Sequence, residues 1–519
     1  MTEGAQAFAN TRPMSERDEV AAFSELQSRL AGQFTEIFAH PNAPRTVVVL
    51  PSLTLDQEVL GRITGVIHYE QRLLCLLLLL RYPRTRVIYL SSEPLPQSIV
   101  EYYLQLLPGV PRDHAMARLT LLACHDASPR PLTEKILERP RLLARLREGI
   151  GSGEAVHMTC FNVSSLERRL ALALDAPVYG CDPELLPLGT KTGSRRIFRD
   201  AGLLLADGEE DLRDEADVSA ALIALKERDP GLRRAVVKLN DGFSGEGNAI
   251  FDYRAGEDAA ALKSRVAEGL RAMNFVAPGE GWDGFATKFR EMGGIVEAFI
   301  EGRTKRSPSA QYRIDPLGRL DVISTHDQVT SGTAGQVFEG CRFPANGAYR
   351  MEIQAAGLQA AERLRAEGVL GRFGVDFISV RGEVGWQHYA VEINLRKGGT
   401  THPFLMLQSL TDGSYDAETG CFRAPSGRPL FYYASDNLSA PHYRGLTPED
   451  LTDIVVENGL HFHTARQEGV VFHLIGALSE FGKVGLVCVA GSERGADRLY
   501  RETVAVLDRA GQDGSAVPS

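Results

Sequence analysis

Along this chain short apolar runs of strand length alternate with longer stretches of helical spacing. The runs Thr46–Leu50 (TVVVL), Arg86–Leu90 (RVIYL), Leu119–Ala123 and Val156–Cys160 read as strands. A helix to about Phe38 precedes them, after a polar start over residues 1 to about 20. Between them lie Leu60–Leu80, the amphipathic Ile99–Leu107, and helical stretches around 132–149 and 164–174. Apolar strands alternating with helices predict a mostly parallel sheet. PSLTLDQ follows the first strand where a dinucleotide-binding chain carries GxGxxG, so that function is not predicted. A boundary is expected near Pro183–Gly189.

Past that boundary, GTKTGSRRIFRDAG reads as a loop and a short helix, with Ser194 as N-cap and Gly202 at C′. Strands are predicted at Ala235–Leu239, Ala249–Tyr253, Ile295–Ile300, Leu320–Thr325, Phe373–Val380 and Tyr389–Leu395. Ile353–Ala366 carries Ile353, Ala356, Ala360 and Leu364 at helical spacing. After Leu410 a loop-rich link leads to a smaller unit from about Leu430, with strands Val470–Leu474 and Val484–Val489 and a closing helix Ala496–Leu507. The last ten residues read as disordered. The expected division is therefore a tail and helix (1–45), an α/β domain (46–188), a central domain (189–410), a small C-terminal domain (411–508) and a tail (509–519).

Composition is that of an ordinary globular protein, and a net charge of −10 argues against nucleic acid as a partner. Seven scattered cysteines without a CxxC pair suggest neither a disulfide framework nor a zinc site, and a cytoplasmic location is expected. The N-terminus shows no basic segment followed by an apolar core, so no secretory signal is expected. Leu73–Leu80 (LLCLLLLL) is too short to span a bilayer and reads as a buried helix, so no membrane partner is expected.

Candidate chemistry centres on Gly374–His402. Its two predicted strands carry Asp376, Glu392 and Asn394 where packing needs only apolar side chains. Glu392 and Asn394 share a strand face, and Asp376 reaches it if the strands pair. Carboxylate and amide oxygens so gathered suit Mg²⁺; a plain hairpin with a polar face reads equally well. Lys238 runs from an apolar strand into Asp241–Gly247, whose glycines, with Ser244 and Gly245, can cradle a phosphate. No GK[ST] follows, and Glu246 breaks a G-x-S-x-G elbow, so a flexible turn with an outward lysine is the other reading. Lys191 precedes a helix N-terminus, which favours anions, though a surface lysine is the commoner case. Glu297, in VEAFIEG, could accept from an adenine amino group or lie on an edge strand facing water. His461, His463 and His473 lack a partner at ligand spacing and read as structural; Cys341 reads as a buried thiol.

The order Lys191, Lys238 with its glycine loop, Glu297-x-Phe299-Ile300-x-Gly302, Gly374-Val375-Asp376, Glu392-x-Asn394-x-Arg396 resembles the ATP-grasp superfamily. Gly65–Leu74 (GVIHYEQRLL), Leu132–Lys135, Ser307–Gln311, Ser324–Gln328 and Gly340–Ala345 resemble the peptide ligases of the pheganomycin type over roughly residues 45–508. The resemblance implies an α/β fold with an α+β core: an ATP-grasp domain preceded by a Rossmann-like pre-ATP-grasp domain and followed by a small α/β domain. It implies ATP, with Lys191 and Lys238 on the α- and β-phosphates, Ser244 and Gly245 over the β- and γ-phosphates, and Glu297 with the backbone near Phe299 on adenine. Asp376, Glu392 and Asn394 would hold two Mg²⁺ ions, with Mn²⁺ as an alternative, and Arg396 would orient a carboxylate or acyl phosphate.

Two positions depart from the family pattern. Thr304 stands where an acidic ribose ligand is usual, which leaves Glu301 for that role; Gly374 stands where an arginine is usual, which passes transition-state stabilisation to Arg396 or Arg313. Gln311, Arg313, Gln328 and Arg342 are assigned to the acceptor and donor pockets. The implied activity is an ATP-dependent carboxylate–amine ligase working through an acyl phosphate on amino acids or peptides, and a homodimer is admitted. The alternatives are a non-amine acceptor and a non-catalytic nucleotide-binding protein.

Overall fold

The computed structural model describes residues 14–55, 57–151, 155–242, 247–254, 259–277, 279–331 and 337–515. The chain separates into two compact units, Met1–Thr54 with Leu76–Pro183, and Leu55–Cys75 with Glu184–Ser519.

In the first unit, β1 (Arg45–Leu50), β2 (Thr85–Ser91), β3 (Leu119–Ala123) and β4 (Ala155–Cys160) form a parallel sheet in the order β3-β2-β1-β4. Every residue of β1 is buried, as its unbroken apolar run predicts for a central strand covered on both faces. The helix α1 (Glu16–Ala39) starts where Ser15 Oγ accepts from Asp18 N, and it turns Phe23, Leu26, Leu30 and Phe34 inward at three- and four-residue spacing. Glu167 is fully buried, yet its carboxylate is satisfied: it accepts from Thr54 Oγ1, Thr133 Oγ1 and the Ser164 backbone and hydroxyl of its own capping box.

The second unit opens with Leu55–Cys75, much of it in a helix of 3-10 type, Val66–Arg81. The LLCLLLLL run is helical and buried as predicted, although its turns are tighter than those of the expected α-helix. After the boundary comes α2 (Lys191–Asp200). Its N-cap is Thr190, whose Oγ1 accepts from Gly193 N at 3.0 Å, rather than Ser194. Ser194 lies inside the helix, and its hydroxyl is engaged elsewhere, accepting from Ile393 N at 3.0 Å. Gly202, with φ +72°, ends the helix as expected. A Cβ on Gly193 would stand 2.0 Å from Pro187 O and 2.9 Å from Leu188 Cα, both backbone. We therefore expect Gly193→Ala to destabilise the protein by about 1–3 kcal/mol or more, seen as a lower denaturation midpoint; an unchanged midpoint would contradict this packing.

The second unit holds two antiparallel sheets. The smaller one runs β5-β9-β6-β7-β8, from β5 (Gly208–Leu212), β6 (Arg234–Leu239), β7 (Asn248–Asp252), β8 (Asn274–Phe275) and β9 (Gly294–Ala298). Helices Glu215–Arg228, Ala259–Gly269 and Trp282–Met292 cover it, with Val237, Phe251, Leu222 and Phe285 in the core. The larger sheet has eleven strands in the path β10-β14-β11-β12-β13-β18-β17-β16, with β15 beside β14, β20 beside β18 and β19 beside β20. These are β10 (Lys305–Arg306), β11 (Pro308–Ile314), β12 (Leu320–Ser331), β13 (Val337–Phe343), β14 (Gly371–Arg381), β15 (Trp386–Asn394), β16 (Ser414–Asp416), β17 (Cys421–Arg423), β18 (Pro429–Ser439), β19 (Gly469–His473) and β20 (Lys483–Ala490). α3 (Arg350–Ala366) buries Ile353, Ala360 and Leu364, and α4 (Thr401–Thr411) follows β15.

The closing helix α5 (Glu493–Ser515) runs past the predicted end at Leu507, so residues 509–515 are helical rather than a disordered tail. The extension is anchored at Asp508, whose Oδ1 accepts from Tyr443 Oη at 2.7 Å and lies 3.0 Å from His442 Nε2. No helix among the described residues is long and apolar enough to cross a membrane.

Candidate active site

The hairpin β14–β15 positions the oxygen donors. Its register sets Asp376 opposite Glu392 and Gly374 opposite Asn394, so strand alternation puts all three polar side chains on one face. Asn394 Nδ2 donates to Asp376 Oδ2 at 3.0 Å, and Gln328 Nε2, from β12, donates to Asp376 Oδ1 at 3.1 Å. Gln311, on β11 opposite Gly374, fills the space that a side chain there would take: a Cβ on Gly374 would lie 2.6 Å from Gln311 Nε2. Gln311 Nε2 also donates to Ser309 Oγ at 3.3 Å.

Charge is unevenly shared between the two carboxylates. Burial and then the charge of Glu392 push the Asp376 carboxyl up to about 7. Glu392 is half-buried, and burial is the largest influence on it, but Lys191, with Nζ 2.5 Å from Oε1, together with Arg396 and Lys238 holds it below its ordinary value. A half-buried carboxylate pair of this kind, with the Asn394 amide beside it, has the hard-oxygen donor set that fits Mg²⁺.

The cations come from the smaller sheet and its flanking helix. Asn240, just after β6, ties them together: its backbone O accepts from Lys191 N and its Oδ1 from Thr192 N, both at 3.0 Å. Lys238 Nζ sits 2.5 Å from Glu297 Oε1, and Arg195 Nη1 reaches Glu297 Oε2 at 3.0 Å, all three side chains nearly fully buried. Both lysines act on Glu392, so Lys191, Lys238, Glu392, Asp376 and Arg396 share one electrostatic site. Burial lowers the proton affinity of Arg396, with Glu392 and Asp376 opposing that effect.

The remaining expected residues divide. Phe299 lies under the Arg234 guanidinium at 3.8 Å and the Lys305 ammonium at 4.4 Å, while Glu301 pairs with Arg234 at 2.8 Å and Arg233 at 3.3 Å. Arg313 shares the face of Asp376 but is paired with Asp321 on β12 at 2.5 Å. Arg342 is not brought to Gln328: it sits opposite Asp327 in the ladder, on the other face of the sheet, with its Nε donating to Asp497 on α5 at 3.0 Å. Ser244 and Gly245 lie outside the described residues. His461 and His463 stand apart from His473, which lies instead beside His402 and Asp436.

Sequence reasoning passed over Arg195, Ser309 and Asp241. Arg195 was legible in principle, four residues after Lys191 on the same helix face. Asp241, after β6, is held above its ordinary value by burial and the charge of Glu392, against the pull of Lys191.

Comparison with known proteins bears on the fold and the family. Residues 278–418 match the family described as IQCH-like, ATP-grasp, and residues 450–503 the PGM1 C-terminal domain. The chain is 33% identical over 475 residues, covering 89% of this chain and 94% of the relative, to the L-propargylglycine–L-glutamate ligase of Streptantibioticus cattleyicolor. It is 22% identical over 431 residues to IQ motif-containing protein H of Danio rerio, of which it spans 40%. Biotin carboxylase from Campylobacter jejuni, solved as a β-γ-ATP complex, shares the fold with a TM-score of 0.55 at 11% identity, covering 91% of this chain and 96% of that one. Matched to a ligase along almost its whole length, this chain belongs to the ATP-grasp superfamily and, within it, to the peptide ligases of the pheganomycin type.

Proposed function

We propose that this ATP-grasp ligase activates the carboxylate of one amino acid or peptide as an acyl phosphate and joins it to the amine of a second, releasing ADP and phosphate. The observation that carries this reading is the half-buried Asp376–Glu392 pair facing each other across β14–β15 within the field of Lys191, Lys238 and Arg396. Asp376, Glu392 and Asn394 would hold Mg²⁺, with two ions as the fuller reading and Mn²⁺ as a substitute, which when bound neutralises phosphate charge and favours phosphoryl transfer. Lys191 and Lys238 now rest on Glu392 and Glu297, and a nucleotide would draw their ammonium groups onto its phosphates. Arg396 would hold the substrate carboxylate in line for attack on the γ-phosphate, and then the acyl phosphate. Gln328 and Gln311 line the same face and would orient the reacting acyl group through their amides. The amine then attacks the acyl carbon, the bond to the phosphate oxygen breaks, and the amine gives up its proton as phosphate leaves.

An acidic amino acid paired with a small neutral one is the first combination to try, because the relative from S. cattleyicolor is named for L-glutamate and L-propargylglycine. The test is phosphate release from Mg·ATP with amino acids and short peptides, singly and in pairs. Release that needs both an acid and an amine, with the dipeptide seen by mass spectrometry, supports the reading. Release with a hydroxyl or thiol compound but no amine would replace it by the other acyl-acceptor class.

A further inference from the structure

The GVIHYEQRLL segment is not used by the chemistry above, yet it is tied to a buried polar cluster. In the 3-10 helix Val66–Arg81, the Arg72 guanidinium lies 3.8 Å over the Tyr69 ring and reaches Asp436 Oδ2 at 2.5 Å. Lys483 Nζ donates to Tyr69 Oη at 3.0 Å, and Gln71 Oε1 accepts from Gly476 N at 2.9 Å. The other oxygen of Asp436 lies 2.8 Å from His473 Nε2 and 3.2 Å from His402 Nε2. Asp436 falls within an irregularity of β18, between Ser435 and Leu438, which takes it out of the regular ladder with β20. Arg72, Asp436, His402 and His473 are all at most 5% exposed, so this carboxylate is committed to its partners.

We propose that Asp436 is a positioning residue of the candidate active site: by gathering Arg72, His402 and His473 onto one buried carboxylate it fixes the Arg396–Thr400 loop against the Asp376–Glu392 pair. The loop leads directly into α4, and Gly398 and Thr401 close on each other, with Gly398 N donating to Thr401 Oγ1 and Thr401 N to Gly398 O, both at 3.0 Å. Pinning His402, the next residue, therefore leaves the loop little freedom. Arg72 and Arg396 lie within electrostatic reach of each other, which places the tether beside the reacting groups.

His402, Asp436 and His473 also have the makeup of a metal triad, their ligand atoms within 4.8 Å of one another. Two features favour the tether. Arg72 already occupies the second oxygen of Asp436. The Nδ1 atoms of both histidines are buried without a hydrogen-bond partner, as is His402 Nε2, which meets Asp436 only as an ion-pair contact at 3.2 Å, so neither imidazole donates an outer proton as metal-bound ones do.

This inference rests on the ligase reading for what the loop does, but not for whether the tether exists, and the experiment separates the two. Hydrogen exchange is followed on the full chain and on Asp436→Asn, with Mg·ATP kinetics alongside. We expect exchange at least about ten-fold faster in peptides covering 395–411 and 66–81, with 234–252 unchanged. In turnover, kcat falls about 10²-fold while the KM for ATP stays within about two-fold, since the nucleotide lysines are not touched. His473→Gln, which keeps a donor toward Asp436, retains most of the activity that His473→Ala loses. Unchanged exchange in 395–411, a rise spread evenly over the chain, or stoichiometric zinc that disappears in Asp436→Asn would each overturn the proposal. A wild-type protein without acid- and amine-dependent turnover would count against the ligase reading alone, because the exchange result still decides the tether.

Discussion

Glu392→Ala removes ligase turnover, with kcat/KM for Mg·ATP falling by about 10³-fold or more. The size follows from the double use of this side chain. It is one of two carboxylates facing each other across β14–β15, so its loss halves the anionic charge available to a divalent ion. It is also the partner of Lys191 at 2.5 Å, and that lysine is nearly fully buried. Truncation leaves Lys191 charged without its counter-ion, a situation that costs about 3–5 kcal/mol in buried pairs. The variant should therefore lose ADP release and, without ligand, also unfold at a lower temperature. Lys191→Ala shifts the balance differently, leaving two facing carboxylates with less compensation. Retention of more than about a tenth of wild-type turnover in Glu392→Ala would remove this residue from the metal site.

Asp376→Asn has its effect through pH. In the folded, ligand-free protein the Asp376 carboxyl titrates near 7, against 3.8 as the ordinary value, because burial and Glu392 disfavour its ionised form. Between those values the folded state holds a proton that the unfolded state has released. This group therefore stabilises the fold least at high pH, and stability declines as pH rises through that window. Replacing it by neutral Asn removes the decline. The denaturation midpoint of Asp376→Asn relative to wild type should improve steadily from about pH 4 to pH 7 and level off above it. Mg²⁺ affinity of the wild type runs the other way, because binding must displace that proton. It should tighten by about ten-fold per pH unit below 7 and level off above it, with about one proton released per ion. Titration calorimetry in two buffers of different ionisation heat reads both quantities. A pH-independent difference in midpoint would mean that Asp376 is ionised throughout this range.

Local chemistry made parts of the site legible in sequence. The hairpin bearing Asp376, Glu392 and Asn394 has a short polar connector, with Gly385 at φ +75°, and the two-residue period of a strand fixes which side chains share a face. The two lysines stood out because each interrupts or borders an apolar element. What could not be read were facts of register and distant pairing. Ser194 and Thr190 are both chemically able to cap α2; Thr190 does so, while the Ser194 hydroxyl accepts from Ile393 N in a strand far along the chain. The face that Arg342 takes depends on how β13 pairs with β12, and no run of apolar residues marks β13 in advance. β11 was missed for a similar reason: PSAQYRI mixes polar and apolar residues and begins with proline. The Asp436 cluster draws on four separated segments, and none of them carries a signal for it alone.

The second unit takes a segment from within the sequence of the first, since Leu55–Cys75 belongs with Glu184–Ser519. Modular inheritance is constrained as a result. A recombination event with a single crossover near Glu184 would give a hybrid whose catalytic core comes from one parent and whose Tyr69, Gln71 and Arg72 come from the other. Such a hybrid would survive only where both parents present compatible partners to Asp436, Gly476 and Lys483. Productive exchange of the leading domain requires crossovers on both sides of the inserted helix, so these two parts of the chain should have descended together.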